Sequence, residues 1–295
     1  MFKIGKLFHL THVVSDLNVA DQWYDDVFSV ARYYRGYMKP AVREASLLCV
    51  GDCCMEPIQL ARVLGAENSP VGKFYARFGQ RFHSIAWYVD SVEETFAALS
   101  KHNLRIYDLV GKVVTDPKGK LAVWTHPKET HALLEFAEIE KFTTDARLQP
   151  GWSATFWRDQ HPLGIERASH ITVLVRDIQA GKTLYQDILG GELLHEEEIP
   201  ERKKSAFFAV GEDTVIEAAQ PLSATSPEGR DLEQAGEGVY AVTFKTKDIK
   251  RAADFLQSKK QHIDWRGADA LVLNRDDAFG MVVGFTQRAI PNDPR

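Results

Sequence analysis

This chain contains four similar stretches, and three of them carry a histidine and a glutamate at matching places. Each stretch opens with a strand-like apolar run that closes on an aspartate, and in three of them a histidine stands seven residues before it. This first position holds His9, His83, His170 and Ala241. A second position, in the last apolar run of each stretch, holds Glu56, Glu135, Glu217 and Gly284. A carboxylate in an apolar strand is costly unless it is paired or binds a cation, so these residues are candidate metal ligands and acid–base groups.

The residues around these positions predict the elements that carry them. The closing aspartates are Asp16, Asp90, Asp177 and Asp248. Each precedes a helical spacing of apolar residues, where an aspartate can cap the helix. Two or three strand-like runs with turn signals follow each helix. Since strand side chains alternate between faces, we expect His9 on a concave face and His12 under the following helix, in a structural role.

Composition excludes several classes of function. The net charge of −5 and the lack of a Lys/Arg run argue against nucleic-acid binding. No apolar run is long enough to span a membrane, and the first residues lack a cleavage-site pattern, so we expect a cytoplasmic protein without membrane contact. Cys49, Cys53 and Cys54 do not resemble a secretory disulfide framework and are expected to be small buried residues.

These motifs resemble those of the vicinal oxygen chelate superfamily, which includes glyoxalase I, methylmalonyl-CoA epimerase, bleomycin and fosfomycin resistance proteins and extradiol dioxygenases. The resemblance rests on the strand openings, on the helices LNVADQWYDDVF and IQAGKTLYQDILGG, and on THPKETHALLEF, in which Ala132 stands where glycine is common. It implies an α+β fold of four βαβββ modules, paired into two cup-shaped mixed-sheet domains. We expect an N-terminal domain at 1–139, a linker at 140–167, a C-terminal domain at 168–289 and a frayed tail at 290–295.

The resemblance also implies which cup holds a metal. Carried over residue by residue, the N-terminal domain supplies a complete set of ligands, His9, Glu56, His83 and Glu135. The C-terminal domain retains only His170 and Glu217, and is expected to be a degenerate copy that supports, covers or dimerises. Such a set suits one divalent ion, which could be Ni, Co, Zn, Mn or Fe.

Four protein ligands are typical of the glyoxalase-like and epimerase-like members, so we predict a metal-dependent lyase or isomerase. The metal would polarise a substrate carbonyl, and Glu56 or Glu135 would move the adjacent proton. One alternative is an Fe(II) extradiol-type ring-cleavage dioxygenase that uses His9, His83 and Glu135. A second alternative is a metal-free small-molecule (drug) binding protein.

The expected partner is a small-molecule substrate, and a homodimer is possible. Trp87 shares the strand parity of His83. If its ring lines the cup, the substrate has an aromatic or apolar part, although core packing is the commoner role of such a residue.

Overall fold

The computed structural model describes residues 2–142 and 144–295. The strands are β1 Ile4–Val13, β2 Ala31–Met38, β3 Arg43–Val50, β4 Cys53–Leu60, β5 Arg81–Val89, β6 Ala122–Trp124, β7 Leu133–Glu138, β8 Ile165–Leu174, β9 Glu192–Ile199, β10 Lys203–Val210, β11 Thr214–Pro221, β12 Gly238–Thr246, β13 Ile263–Arg266, β14 Ala270–Leu273 and β15 Val282–Thr286. The α-helices are α1 Leu17–Phe28, α2 Pro70–Phe78, α3 Val92–Ser100, α4 Pro127–Thr130, α5 Thr155–Asp159, α6 Ile178–Lys182, α7 Pro227–Ala235 and α8 Ile249–Ser258. A π-helical turn, Thr183–Ile188, continues α6.

The strands form two mixed sheets. Within the described residues, one sheet has seven strands in the order β2-β3-β4-β1-β5-β7-β6. The other has eight strands in the order β13-β14-β15-β12-β8-β11-β10-β9. In each sheet the opening strands of two modules pair antiparallel at the centre, β1 with β5 and β8 with β12. Modules one and two therefore share one sheet and modules three and four share the other, which confirms the predicted fold class.

The helix starts follow the predicted capping chemistry with one exception. Asp16, Asp177 and Asp248 each accept hydrogen bonds from backbone N–H groups in the first turn of the helix that follows. The helix of the second module is capped by Ser91, whose hydroxyl accepts from Glu94 N, and not by Asp90. Ser91 therefore takes the place that Asp16, Asp177 and Asp248 have in the other modules, which is one residue later than the sequence suggests.

The two sheets pack against a shared core that includes α1. The ring of Trp23 lies 5.8 Å from that of Phe279, and the ring of Phe28 lies 5.8 Å from that of Phe244. His12 is fully buried at this boundary, where its Nε2 is 2.9 Å from Phe279 O. Burial lowers the pKa of His12 to about 4, so the ring is neutral near pH 7. The structural role predicted for this histidine matches its position.

The segment between the sheets packs onto the N-terminal domain. Trp157 is buried, and its indole N–H donates to Phe28 O at 2.7 Å. The buried Arg147 pairs with Asp145 and donates to Phe8 O at 2.9 Å. No helix in residues 2–142 and 144–295 is long and apolar enough to cross a membrane.

The expectation of a frayed C-terminal tail is wrong. Arg295 donates to Ser169 O at 3.1 Å and pairs with Asp293, which lies 3.5 Å from Arg167. These contacts tie the last residues to β8, because the tail carries charged groups that find partners on the C-terminal domain.

Candidate active site

Strand register brings three of the predicted site residues to one place. His9 on β1 is paired with Ala86 on β5, and Ala86 is paired with Glu135 on β7. On the other side of β1, Thr11 is paired with Glu56 on β4. Because directly paired residues point to the same face, the three side chains meet near the middle of the N-terminal cup.

The three side chains are in close contact and almost fully buried. His9 Nε2 lies 3.3 Å from Glu56 Oε2 and 3.4 Å from Glu135 Oε2. The exposed fractions are 2% for His9, 3% for Glu56 and 6% for Glu135. Within the described residues, neither ring nitrogen of His9 has a well-formed hydrogen bond. An imidazole nitrogen aimed between two carboxylates is available to a proton or to a metal ion.

Polar residues that the sequence analysis did not identify hold the two carboxylates. Arg43 Nη2 donates to Glu56 Oε1 at 3.0 Å, and Thr11 Oγ1 donates to Glu56 Oε2 at 3.0 Å. Trp124 Nε1 donates to Glu135 Oε2 at 3.0 Å. Arg43 opens β3 and is buried, but Glu44 and Ser46 follow in the same strand, so the sequence alone gives no signal that distinguishes Arg43. These bonds fix the orientation of both carboxylates.

The charge count distinguishes this cluster from an ordinary ion pair. Two carboxylates face one guanidinium, which leaves one net negative charge in a buried place unless His9 is protonated or a cation binds. Burial would lower the pKa of His9, but the carboxylates of Glu56 and Glu135 outweigh burial and raise it. The site therefore favours an added positive charge.

The structure places His83 beside this cluster, and not in it. Thr11 is paired with Ser84, His12 is paired with Phe82, and a β-bulge lies between these pairs, so His83 is the extra residue. Its Nδ1 is 3.2 Å from Ser84 Oγ, and its ring packs edge-on to Phe74 at 4.6 Å. It forms no ion pair with a carboxylate in the part of the chain that the structure describes. Burial and the nearby Arg43 lower the pKa of His83 to about 3.

The predicted alignment of the second module is therefore wrong by one residue. In the C-terminal domain Thr172 is paired with Ala241, as Thr11 is paired with Ser84. Ser84 is thus the structural counterpart of Ala241. The counterpart of His83 is Tyr240, the residue between the pairs Thr172–Ala241 and Val173–Val239.

The same bulge corrects the expectation for Trp87. Beyond a bulge the two-residue alternation is shifted, so Trp87 does not share the face of the cup. Its side chain is fully buried, and its indole N–H donates to Thr214 Oγ1 of the C-terminal domain at 3.1 Å. Trp87 joins the two domains and gives no information on the substrate.

The C-terminal cup contains a related but electrically balanced cluster. Glu217 accepts from Thr172 Oγ1 and from Ser205 Oγ, both at 2.6 Å, and forms an ion pair with Lys203. His170 Nε2 lies 3.5 Å from Glu217 Oε2. Burial would raise the pKa of Glu217, but Lys203 and the hydrogen bonds lower it to about 2. One carboxylate faces one ammonium, so no buried charge is left over.

The N-terminal cluster fits a divalent ion in donor type, spacing and charge. Two bonds of about 2.1 Å to one ion place adjacent donor atoms roughly 3.0–3.4 Å apart. The distances from His9 to the two carboxylates lie in or close to that range. As they stand, however, residues 2–142 and 144–295 contain no group of three or more His, Cys, Asp or Glu side chains arranged as a metal site. Metal binding by His9, Glu56 and Glu135 stays a prediction, and His83 could join only by moving.

Comparison with known proteins identifies a superfamily domain in this chain. Residues 167–266 match the sequence model of the Glyoxalase/Bleomycin resistance protein/Dioxygenase superfamily. This chain carries a domain of that superfamily. The predicted vicinal oxygen chelate family is confirmed.

Relatives in the superfamily differ in what they share with this chain. The uncharacterised protein YqjC of Bacillus subtilis is 35% identical over 81 residues, which are 27% of this chain and 57% of that protein. The ethylmalonyl-CoA/methylmalonyl-CoA epimerase of Cereibacter sphaeroides is 29% identical over 133 residues, which are 42% of this chain and 98% of the epimerase. A mutant 4-hydroxymandelate synthase of Streptomyces coelicolor covers 98% of this chain, and 95% of its own chain is matched, at 12% identity and a TM-score of 0.65. This last likeness shows the two-domain fold alone.

Proposed function

We propose that the N-terminal cup is the reaction centre of an isomerase or lyase that moves a proton next to a substrate carbonyl. The observation that carries this proposal is the position of His9 Nε2, within 3.4 Å of two buried carboxylates that only one guanidinium neutralises. Two carboxylates in different environments are a common basis for acid–base chemistry.

The two glutamates have unequal freedom, which supports different roles. Both oxygens of Glu56 accept hydrogen bonds, from Arg43 and from Thr11. Glu135 accepts from Trp124 at Oε2, and its Oε1 has no hydrogen-bond partner among the described residues. We therefore assign Glu135 as the base that takes the proton, and Glu56 as the carboxylate that holds His9 in position.

A divalent ion held by His9, Glu56 and Glu135 would supply Lewis-acid polarisation of the substrate carbonyl. Arg43 orients Glu56 and Trp124 orients Glu135 through the hydrogen bonds that they donate. Because the cluster is buried, charge interactions in it are stronger than in water. The epimerase relative suggests an acyl thioester as the substrate. The homodimer and the cytoplasmic location that the sequence analysis predicts are also part of this proposal.

The test uses methylmalonyl-CoA in D₂O under strict anaerobiosis, with metal-stripped protein to which Co²⁺, Ni²⁺ or Zn²⁺ is added. We expect deuterium to appear at the carbon next to the thioester carbonyl, measured by mass spectrometry. If the protein is instead a dioxygenase, no deuterium should be incorporated under anaerobiosis, and turnover should need both Fe²⁺ and oxygen. Absence of exchange with this thioester and with a panel of other 2-substituted acyl thioesters would contradict the proposed reaction.

A further inference from the structure

The C-terminal cup contains a cavity of about 760 Å³. Small-molecule sites commonly have volumes of about 300–1,000 Å³. The cavity lies over the cluster of His170, Lys203 and Glu217. This face of the C-terminal sheet corresponds to the face of the N-terminal sheet that carries Glu56, since Thr172–Glu217 and Thr11–Glu56 are equivalent pairs. A domain whose only task was support would not need such a space.

The floor of the cavity contains a fixed positive charge. Lys203 and Arg43 stand at the same register position, opposite the last residue of the neighbouring strand, and each contacts the glutamate of its own cup. In the C-terminal cup the glutamate is fully used, because Thr172 and Ser205 also donate to it. No free carboxylate is left there for a metal ion, whereas an ammonium group has three N–H donors and Glu217 takes one of them.

The cavity is open because its covering helix carries different residues. Helices α2 and α7 both begin with a capping serine followed by proline, which aligns Val71 with Glu228 and Phe74 with Asp231. In the N-terminal domain Val71 and Phe74 pack with the apolar side chains Val13, Ala45 and Ile58.

In the C-terminal domain the aligned carboxylates are buried and line the cavity. Arg202 pairs with Glu228 at 2.7 Å, and Arg275 and Arg81 pair with Asp231 at 2.5 Å and 2.8 Å. These ion pairs fix the two carboxylates in the lining of the cavity.

The cavity walls define the chemistry of the ligand. One wall is apolar and consists of Ala241, Trp265, Val272, Leu273 and Val282. The lining also includes four Lys or Arg side chains and four Asp or Glu side chains. This balance disfavours a polyanion and a strong cation, and the donors of Lys203 favour an oxygen acceptor.

We propose that the C-terminal cup is a metal-independent binding site for a small, uncharged carbonyl compound with a flat apolar body, and that the Lys203 ammonium donates to its carbonyl oxygen. The ammonium then provides the positive charge that a metal ion would provide in the N-terminal cup. The apolar body lies against Trp265, whose exposed ring forms part of the wall. This inference does not depend on the reaction proposed for the other cup.

The experiment compares three probes that share a phenyl ring, acetophenone, benzyl alcohol and benzylamine, on the full-length protein treated with chelator. Saturation-transfer NMR titrations give the dissociation constants. We expect acetophenone to bind most tightly and benzylamine most weakly. Lys203→Met should weaken acetophenone binding by about tenfold, the effect of one hydrogen bond to a charged group.

Two further variants make the test decisive. Lys204→Met is the matched control, because Lys204 is the next residue on β10 and pairs with Glu198 at the surface at 3.4 Å; its dissociation constants should equal those of wild type. Trp265→Ala removes a side chain that is 48% exposed, and should weaken the binding of all three probes. Equal affinity for the three probes, or unchanged acetophenone binding in Lys203→Met or in Trp265→Ala, would overturn the proposal. So would a requirement for added metal.

Discussion

The two cups of this protein have the same framework and differ in one decisive position. Each has a histidine, a threonine and a cationic side chain around a buried glutamate. In the N-terminal cup these are His9, Thr11 and Arg43 around Glu56. In the C-terminal cup they are His170, Thr172 and Lys203 around Glu217. The N-terminal cup adds Glu135, while the paired position in the C-terminal cup is Gly284. One extra carboxylate turns a neutral cluster into one with a surplus negative charge, which favours a cation.

The helices that cover the two sheets also differ, but here the charged side chains belong to the C-terminal domain. Apolar side chains of α2 pack over the N-terminal sheet, whereas charged side chains of α7 leave the C-terminal cavity open. Two cups of the same fold can therefore differ in function, one in the charge of its buried cluster and the other in the volume of its cavity. In our account the first cup has the charge that chemistry needs, and the second has the volume that binding needs.

The largest expected effect is on catalysis and separates the two cups. Glu135→Gln keeps the shape of the side chain but removes its basicity, so the deuterium exchange rate should fall by roughly 10²–10⁴-fold. Glu217→Gln makes the same chemical change at the buried glutamate of the other cup, where Gly284 stands in the place of Glu135, and should leave the rate nearly unchanged. Equal losses in the two variants would show that the cups act together, and the proposed division would then be wrong.

Acid sensitivity should be greater in the N-terminal module, because His12 aligns with Val173 in the C-terminal one. The pKa of His12 is lowered to about 4 from 6.5. Between these values the unfolded chain binds the extra proton, so the free energy of unfolding falls as pH falls, by roughly 1.4 kcal/mol per pH unit for one proton. Denaturant unfolding from pH 7 to pH 4 should show a slope smaller by about this amount in His12→Gln. An unchanged slope would contradict the role of burial.

Arg43 should compete with a metal ion for Glu56. Arg43→Met removes the guanidinium and leaves the cluster more negative, so Co²⁺ affinity should rise by about tenfold, which is the order of one charge-assisted hydrogen bond. Calorimetric titration measures this effect, and circular dichroism checks the fold. Arg32→Met, which removes the pair with Asp25 on α1, is the control and should leave affinity unchanged. Weaker binding in Arg43→Met would mean that the arginine supports the metal site.

The smallest effect tests the corrected alignment of the second module. Ser91→Ala should destabilise the protein by about 1 kcal/mol, because it removes the cap of α3. Asp90→Ala should have little effect, since Asp90 is exposed and does not cap the helix. Chemical denaturation of the two variants gives both values. The reverse order would restore the alignment that counts from Asp90.

The fold was predictable because strand alternation, helix periodicity and capping residues recur four times. His9, Glu56 and Glu135 were found for the same reason. The place of His83 was not predictable, because a β-bulge has no sequence signature as reliable as the alternation that it interrupts. Arg43 and Trp124 were missed as partners because cross-strand contacts depend on register, which local sequence does not define.

The central claim is that only the N-terminal cup has the charge and the donors to hold a metal ion. The most direct test is native mass spectrometry of wild type, His9→Ala and His170→Ala after equilibration with Co²⁺ and buffer exchange. Our account predicts one ion per chain in wild type and in His170→Ala, and none in His9→Ala. Two ions per chain, an ion retained in His9→Ala, or an ion lost in His170→Ala would contradict it.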